Sequence, residues 1–163
     1  AQQPIFKNEK IMKSITEIKN LEEITNRIGL LQPGSERLWG IMNVNQMLCH
    51  VSDPVRGALG ERSYTDISNI ITRTIGKWIF LYFFPFPKNA PTGREFNQIK
   101  GGGTPVKDFA NDRQELLRLL KRMHDSGASA KLISHPLFGH LSHWEWGRMT
   151  YLHLDHHLKQ FGV

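Results

Sequence analysis

Five histidines, His140, His143, His153, His156 and His157, crowd the C-terminal part of a chain that has eight in all. The segment Tyr151-Leu-His-Leu-Asp-His-His-Leu158 is where chemistry is concentrated. At about 100° per helical residue, Trp146, Met149, Thr150, His153, Leu154, His157, Leu158 and Phe161 share one arc, with Arg148, Asp155 and Lys159 opposite and His156 on the border. His153 and His157 are then an i, i+4 pair facing inward, and both imidazoles can reach one ion at about 2.0–2.1 Å if it is zinc. Such a pair alone is more often explained by hydrogen bonds to neighbouring backbone or carboxylates. A third ligand is needed, and His50 supplies one, at the edge of its own helix's apolar arc near Gln46, Asp53 and the small Gly57.

Three neutral imidazoles that leave coordination positions open make a catalytic rather than a structural type of site, because a structural zinc site fills four positions with protein groups. Asp53, one turn beyond His50, can orient an imidazole from behind or act as a base, or be only an exposed helix carboxylate. Leu154 stands where a zincin protease carries its glutamate base, so peptide hydrolysis is disfavoured. No glycine-rich phosphate loop or Gly-x-Ser-x-Gly elbow offers a competing chemistry. The expected cofactor is one divalent metal ion, zinc, nickel or iron, among which imidazole ligands do not choose.

The elements that must hold these residues read as helices. Asn20, with Glu23 three further on, is the expected cap of a first helix through Leu21, Ile24, Ile28 and Leu31, ended by Gln32-Pro33-Gly34-Ser35. Asn43 and Gln46 open a second helix through Met47, His50 and Val51 towards Gly60, with a kink or early end expected at Pro54. Thr65-Asp66 is the expected start of a third, whose Ile67, Ile71, Ile75, Trp78, Ile79 and Tyr82 form a wide apolar stripe stopped by Pro85 and Pro87. Residues 87 to 104, ending in Gly101-Gly102-Gly103-Thr104, have no period and read as a long ordered or lid-like loop. A fourth helix is expected over Asp112 to Asp125, with Leu116, Leu117, Leu120 and Met123 inward. Ser142 and Glu145 form a capping box for the last, which runs to about Gln160. His135-Pro136 with Phe138-Gly139 reads as a turn packed on the helices, and Trp146 as a packing residue near His153 that can wall a pocket. The chain is thus all-α, a first segment 1–19 forming an arm and 20–163 one helical domain.

Composition excludes other classes. The chain has 163 residues, 39 % hydrophobic and 22 % charged, which suits one folded domain. Its net charge of +6 comes from 21 basic residues interspersed with 15 acidic ones, so no basic stripe for a nucleic acid forms. The longest apolar run, Trp78 to Phe86, is too short to span a bilayer. Cys49 is the single cysteine, so no disulfide can form within the chain, and it reads as a small buried residue. A cytoplasmic location is expected, although the start at Ala1 is compatible with a removed signal peptide.

His50 in the second helix and His153-x-x-His156-His157 in the last resemble the DinB-like, YfiT-type superfamily of metal-dependent proteins. Arg37-Leu-Trp39-Gly40, Gln46-Met-Leu-Cys-His50, Pro87-Lys-Asn-Ala-Pro-Thr92, His135-Pro-Leu-Phe-Gly139 and His156-His-Leu-Lys-Gln-Phe161 look like an uncharacterised branch of it, over residues 20 to 163. The resemblance implies an up-down-down-up four-helix bundle, a homodimer, and a metal held by His50, His153 and His157. Relatives include thiol-dependent transferases and isomerases in which the metal activates a low-molecular-weight thiol. The histidine-histidine-arginine-glycine ending common in the superfamily is here His156-His157-Leu158-Lys159, which puts the contacts of that arginine in doubt. The expected function is a metal-dependent transferase or hydrolase acting on a small molecule, with no nucleic-acid or membrane partner. The rival is a non-catalytic, metal-bound, dimerising stress-response module.

Overall fold

The computed structural model describes residues 12–83, 88 and 92–163. Three of its helices begin where side chains replace missing backbone partners. Asn43 accepts from the Gln46 amide while the Gln46 side chain accepts from the Asn43 amide, opening α2 (Val44–Ala58) as expected. Ser142 and Glu145 make the same reciprocal pair at the head of α5 (His143–Gln160). Asp108 accepts from the Asn111 amide and starts α4 (Phe109–Ser126) several residues before the expected Asp112. These are the caps that the sequence pattern is best at revealing, because the acceptor and the orphan amide are only three residues apart.

α1 (Ile18–Leu30) departs from expectation at its start. Asn20 is not its cap: the side chain is buried inside the first turn and its amide donates to the Ser14 carbonyl at 3.0 Å. The chain before it is held against α5, with the Ile15 amide bonded to the Gly147 carbonyl at 3.2 Å and the Ile15 side chain fully buried. Gly147 permits this approach, since a Cβ there would lie 2.5 Å from the Ser14 hydroxyl. Residues 14–17 therefore pack on the helices, residues 18 and 19 of the expected arm belong to α1 itself, and residues 1–11 lie outside the described residues.

The third expected helix is the largest correction. Residues 62–69 are not helical; Asp66 accepts from Ser68 in a turn, and Asn69, which accepts from the Ile71 and Thr72 amides, is the actual cap. The helical stretch runs first as a π-turn, Thr72–Gly76, and then as α3 (Lys77–Tyr82). Thr74 donates its hydroxyl to the Ile70 carbonyl four residues back, which competes with the regular backbone bond and accounts for the widened turn. The expected stripe does not form the core: Ile67, Ile71, Ile75 and Trp78 are each more than half exposed, and Leu81 is the fully buried residue of α3. The long loop after it is described from Thr92 onward, where two short 3-10 turns, Arg94–Phe96 and Gln98–Lys100, precede the glycine run.

α1, α2, α4 and α5 pack on one another, α2 against α4 and α5, and α1 against α4 and α5, around a single apolar core. Among the described residues there are helices and no strands, with one isolated bridge between His135 and Gly139. On α4 the inward set is Leu116, Leu119, Leu120 and Met123, so Leu119 takes the place expected of Leu117. α2 continues to Ala58 past Pro54. Arg148, expected on the outer face of the last helix, is buried, and its guanidinium donates to the Leu81 and Lys13 carbonyls at 3.1 and 2.9 Å. It thereby ties α3 and the segment before α1 to α5. Cys49 is buried, as expected, and burial pushes its thiol up to about 12. Among the described residues no helix is long and apolar enough to cross a membrane.

These assignments separate two isoleucine- and leucine-rich helices that look alike in sequence. We expect Leu119→Ala to cost about 2–5 kcal/mol and Ile71→Ala to change monomer stability by no more than about 0.5 kcal/mol. Urea unfolding monitored by tryptophan fluorescence measures both. Equal costs would contradict the exposed placement of the third helix.

Candidate metal centre

Where α2 crosses α5, His50, His153 and His157 each place one ring nitrogen within 4.8 Å of the other two. The three ring centroids are mutually 4.9 Å apart with interplanar angles of 80°, 78° and 71°, so the rings stand edge to face around a common point. The two Nε2 atoms of His50 and His153 are 3.0 Å apart. Two imidazole lone pairs at that distance repel unless a proton or a cation lies between them. Nitrogens bound to one ion at about 2.1 Å are about 3 Å apart when they bind near right angles, so the spacing fits a metal.

The other nitrogens are anchored. His50 Nδ1 is 3.0 Å from the Phe96 carbonyl, which can only accept, so Nδ1 carries the proton and Nε2 presents its lone pair. His157 Nδ1 is 2.8 Å from Gln160 Oε1. The Gln160 amide group is set the right way round because its nitrogen donates to the Trp39 carbonyl at 2.7 Å, leaving the oxygen for His157. Gly40, at φ +79°, makes room for this chain of contacts, since a Cβ there would lie 2.3 Å from Gln160 Nε2. Acceptors behind metal-binding histidines fix the tautomer and the ring orientation, and here two of three are identified.

Burial holds all three imidazoles neutral, which is the form that binds a metal. Burial lowers His50, opposed by its bond to Phe96. His153 is held well below the usual histidine range by burial and then by the nearness of His157 and His50. His157 is pushed down to about 3 by burial and then by His50. The group lies in the wall of a cleft of about 1270 Å³, whose lining among the described residues includes Trp39, Met42, Phe80, Arg94, Phe138 and Met149.

All three sequence-derived ligand candidates thus come together. Asp53 is fully buried, and its carboxylate accepts from the Thr104 amide at 2.9 Å and from the Thr104 hydroxyl. It is also paired with Arg62 at 3.1 Å and Arg56 at 3.2 Å. The Phe96 carbonyl, not Asp53, stands behind His50 Nδ1. His156 lies beside His157 at 5.0 Å between ring centroids and edge-on to Trp39 at 6.0 Å, flanking the cluster. His135 Nδ1 accepts from the Leu137 and Phe138 amides, both at 3.1 Å, closing the expected turn. His143 Nε2 is bonded to the Met123 carbonyl and His140 is exposed. Trp146 is buried behind His135, donating to the Ile133 carbonyl, rather than walling the cleft.

Sequence reading missed Gln160 and Phe96. Gln160 had a usable signal, being three residues after His157 on the same arc. Phe96 acts through its backbone, which no residue type announces.

Fold and site together define an all-helical protein with a buried three-histidine group that can hold a metal ion. A family model described as "Protein of unknown function (DUF1569)" matches residues 11–162, and the chain belongs to that family. No curated protein and no solved structure matches the chain.

The depressed histidines make acid destabilising in a defined window. Unfolded imidazoles titrate near 6.5, so their contribution is whole above about 6.5. It is lost as pH falls from there towards about 4 for His135 and about 3 for His157, because the unfolded chain takes up the protons first. We expect urea midpoints of metal-stripped protein to fall between pH of about 6.5 and 4.5, before most carboxylates titrate. In His135→Asn, which retains an acceptor for the turn, the fall should be shallower. A flat profile across this window would contradict the assignment.

Proposed function

We propose that the chain is a metal-dependent enzyme of the DinB-like type, an up-down-down-up bundle that holds one divalent ion, zinc, nickel or iron, on His50, His153 and His157. The convergence of three neutral imidazoles from two helices carries this reading. Three protein ligands leave coordination positions unfilled, and the group borders a cleft rather than a sealed core, the pattern of catalytic rather than structural metal sites. An ion there supplies Lewis acidity, which makes a thiol or water nucleophilic at neutral pH.

The chain's own residues do the rest. Phe96 and Gln160 hold the His50 and His157 rings in one orientation. The aromatic and aliphatic part of the cleft wall receives the apolar body of a small electrophile. The reaction class this supports is transfer to a low-molecular-weight thiol, or hydrolysis.

One observation favours a second reading, the non-catalytic dimerising module. Ile67, Ile70, Ile71, Ile75 and Trp78 expose an apolar face that suits contact with a second copy of the chain. A homodimer is compatible with either reading, so metal stoichiometry and turnover, not assembly, separate them.

The test is metal content of protein purified without a metal-affinity column. We expect one ion per chain in the wild type and its loss in His50→Ala, His153→Ala and His157→Ala. In Gln160→Leu we expect affinity about 10–100-fold weaker. Unchanged metal content in the histidine variants would overturn the site. With metal retained, thiol-conjugation and hydrolysis screens that find no turnover favour the module.

A further inference from the structure

The Gly101-Gly102-Gly103-Thr104 run is used by none of the roles above, yet it is built into the site's surroundings with little tolerance. A Cβ at Gly102 would lie 1.7 Å from the Arg94 carbonyl oxygen, and one at Gly103 2.0 Å from Gln98 Nε2. The run therefore folds directly back on residues 94–98, the two short turns that contain Phe96. The Gly102 amide closes the same fold by donating to the Asn97 carbonyl at 3.0 Å.

What anchors this folded loop to α2 is the Asp53 carboxylate, three residues from His50. Arg62, which pairs with Asp53, also donates to the Thr104 hydroxyl at 2.9 Å and to the Gly102 and Glu95 carbonyls at 2.6 and 3.2 Å. Gln98 donates to the Thr104 carbonyl at 3.1 Å. On the other side of Phe96, its ring stacks on Tyr64 at 4.1 Å, and Tyr64 donates to the Asp53 carbonyl at 2.9 Å. These paths from the loop to α2 converge on Asp53, with Arg56 of the same helix also donating to the Thr104 hydroxyl at 3.4 Å, and the atom the loop delivers to the site is the Phe96 oxygen on His50 Nδ1.

We propose that Asp53, Thr104 and Arg62 are positioning residues for the metal centre: they lock the 94–104 loop so that the Phe96 carbonyl holds His50 in the tautomer whose Nε2 is the ligand. The inference rests on the metal-site reading for its consequence, but its first effect, a single His50 tautomer, exists without metal. A buried carboxylate with two guanidinium partners and a backbone donor is a rigid anchor, because moving it would strand charges away from water. The loop contributes no ligand of its own; it governs metal affinity through one backbone oxygen.

Two variants loosen the loop without touching a ligand. Thr104→Val keeps the side chain's shape and removes the hydroxyl, and Gly102→Ala cannot be accommodated without moving the 94–104 backbone. The His50 tautomer is read from nitrogen-15 imidazole shifts of metal-free protein at neutral pH, and zinc affinity by competition with a chromophoric chelator. The wild type should show one His50 species with the proton on Nδ1. Both variants should show a mixture of tautomers and zinc binding about 10–100-fold weaker, and Thr104→Ser should restore both. A general loss of stability would not by itself move the tautomer. A single Nδ1–H species with undiminished zinc affinity in both variants would overturn the proposal. A wild type that binds no zinc, nickel or iron would refute the metal reading, and the tautomer result would then decide the positioning role alone.

Discussion

Three imidazoles packed against one another at the crossing of α2 and α5 impose a condition on everything around them. Burial disfavours a charge on any of them, and a charge on more than one adds mutual repulsion, so each is held neutral. A neutral imidazole has one donor and one acceptor, and burial obliges both to be used. If the lone pairs converge on one point, then the N–H groups must point outward to acceptors, and the protein has to bring acceptors there. The structure does so for His50 with the Phe96 carbonyl and for His157 with the Gln160 amide oxygen.

Those two acceptors explain features that otherwise look unrelated. Gln160 is the last residue of α5, and it faces His157 because its nitrogen is claimed by the Trp39 carbonyl in the segment between α1 and α2. Gly40 is required there because any side chain would strike Gln160. On the opposite flank, the Phe96 carbonyl is presented by a loop that must close tightly on itself, which is why the glycine run has no room for a Cβ at Gly102 or Gly103. The segment between α1 and α2 and the 94–104 loop thus both bear on the orientation of rings carried by α5 and α2.

Much of this was legible from sequence where the relevant interactions are local. The caps at Asn43 and Ser142 and the shared face of His153 and His157 depend on residues three or four apart, and these expectations stand. Bringing His50 to that face is a tertiary event, and its position on an apolar arc was enough to nominate it. The errors have a common physical origin. Apolar periodicity reports a face that wants burial, not whether a partner is present, and so Ile71, Ile75 and Trp78 were expected inside while they are exposed. Arg148 is expected outside because it lies opposite the histidine arc of its helix, but two backbone carbonyls satisfy it in the interior. Asn20 has the residue type of a cap and is used instead as a buried donor. The Phe96 acceptor had no signal at all, being backbone.

The division of labour that results has a consequence for how such a site can vary. All three candidate ligands come from α2 and α5, whose mutual packing is part of the core, so ligand positions are as rigid as the fold. The acceptor behind His50 comes from a loop outside the core, which can shift at smaller cost, while the one behind His157 is Gln160, the buried last residue of α5, held in place by the Trp39 carbonyl. Ligand identity is thereby tied to folding, while the orientation and lone-pair basicity of the His50 ring are tied to a loop. A loop change that moves one carbonyl by a few tenths of an ångström weakens a hydrogen bond to a ligand ring without disturbing Leu48, Leu120 or Leu158 in the core. The buried anchor at Asp53 makes sense in these terms: where an acceptor sits on a loop, something in the rigid part of the structure has to hold that loop still.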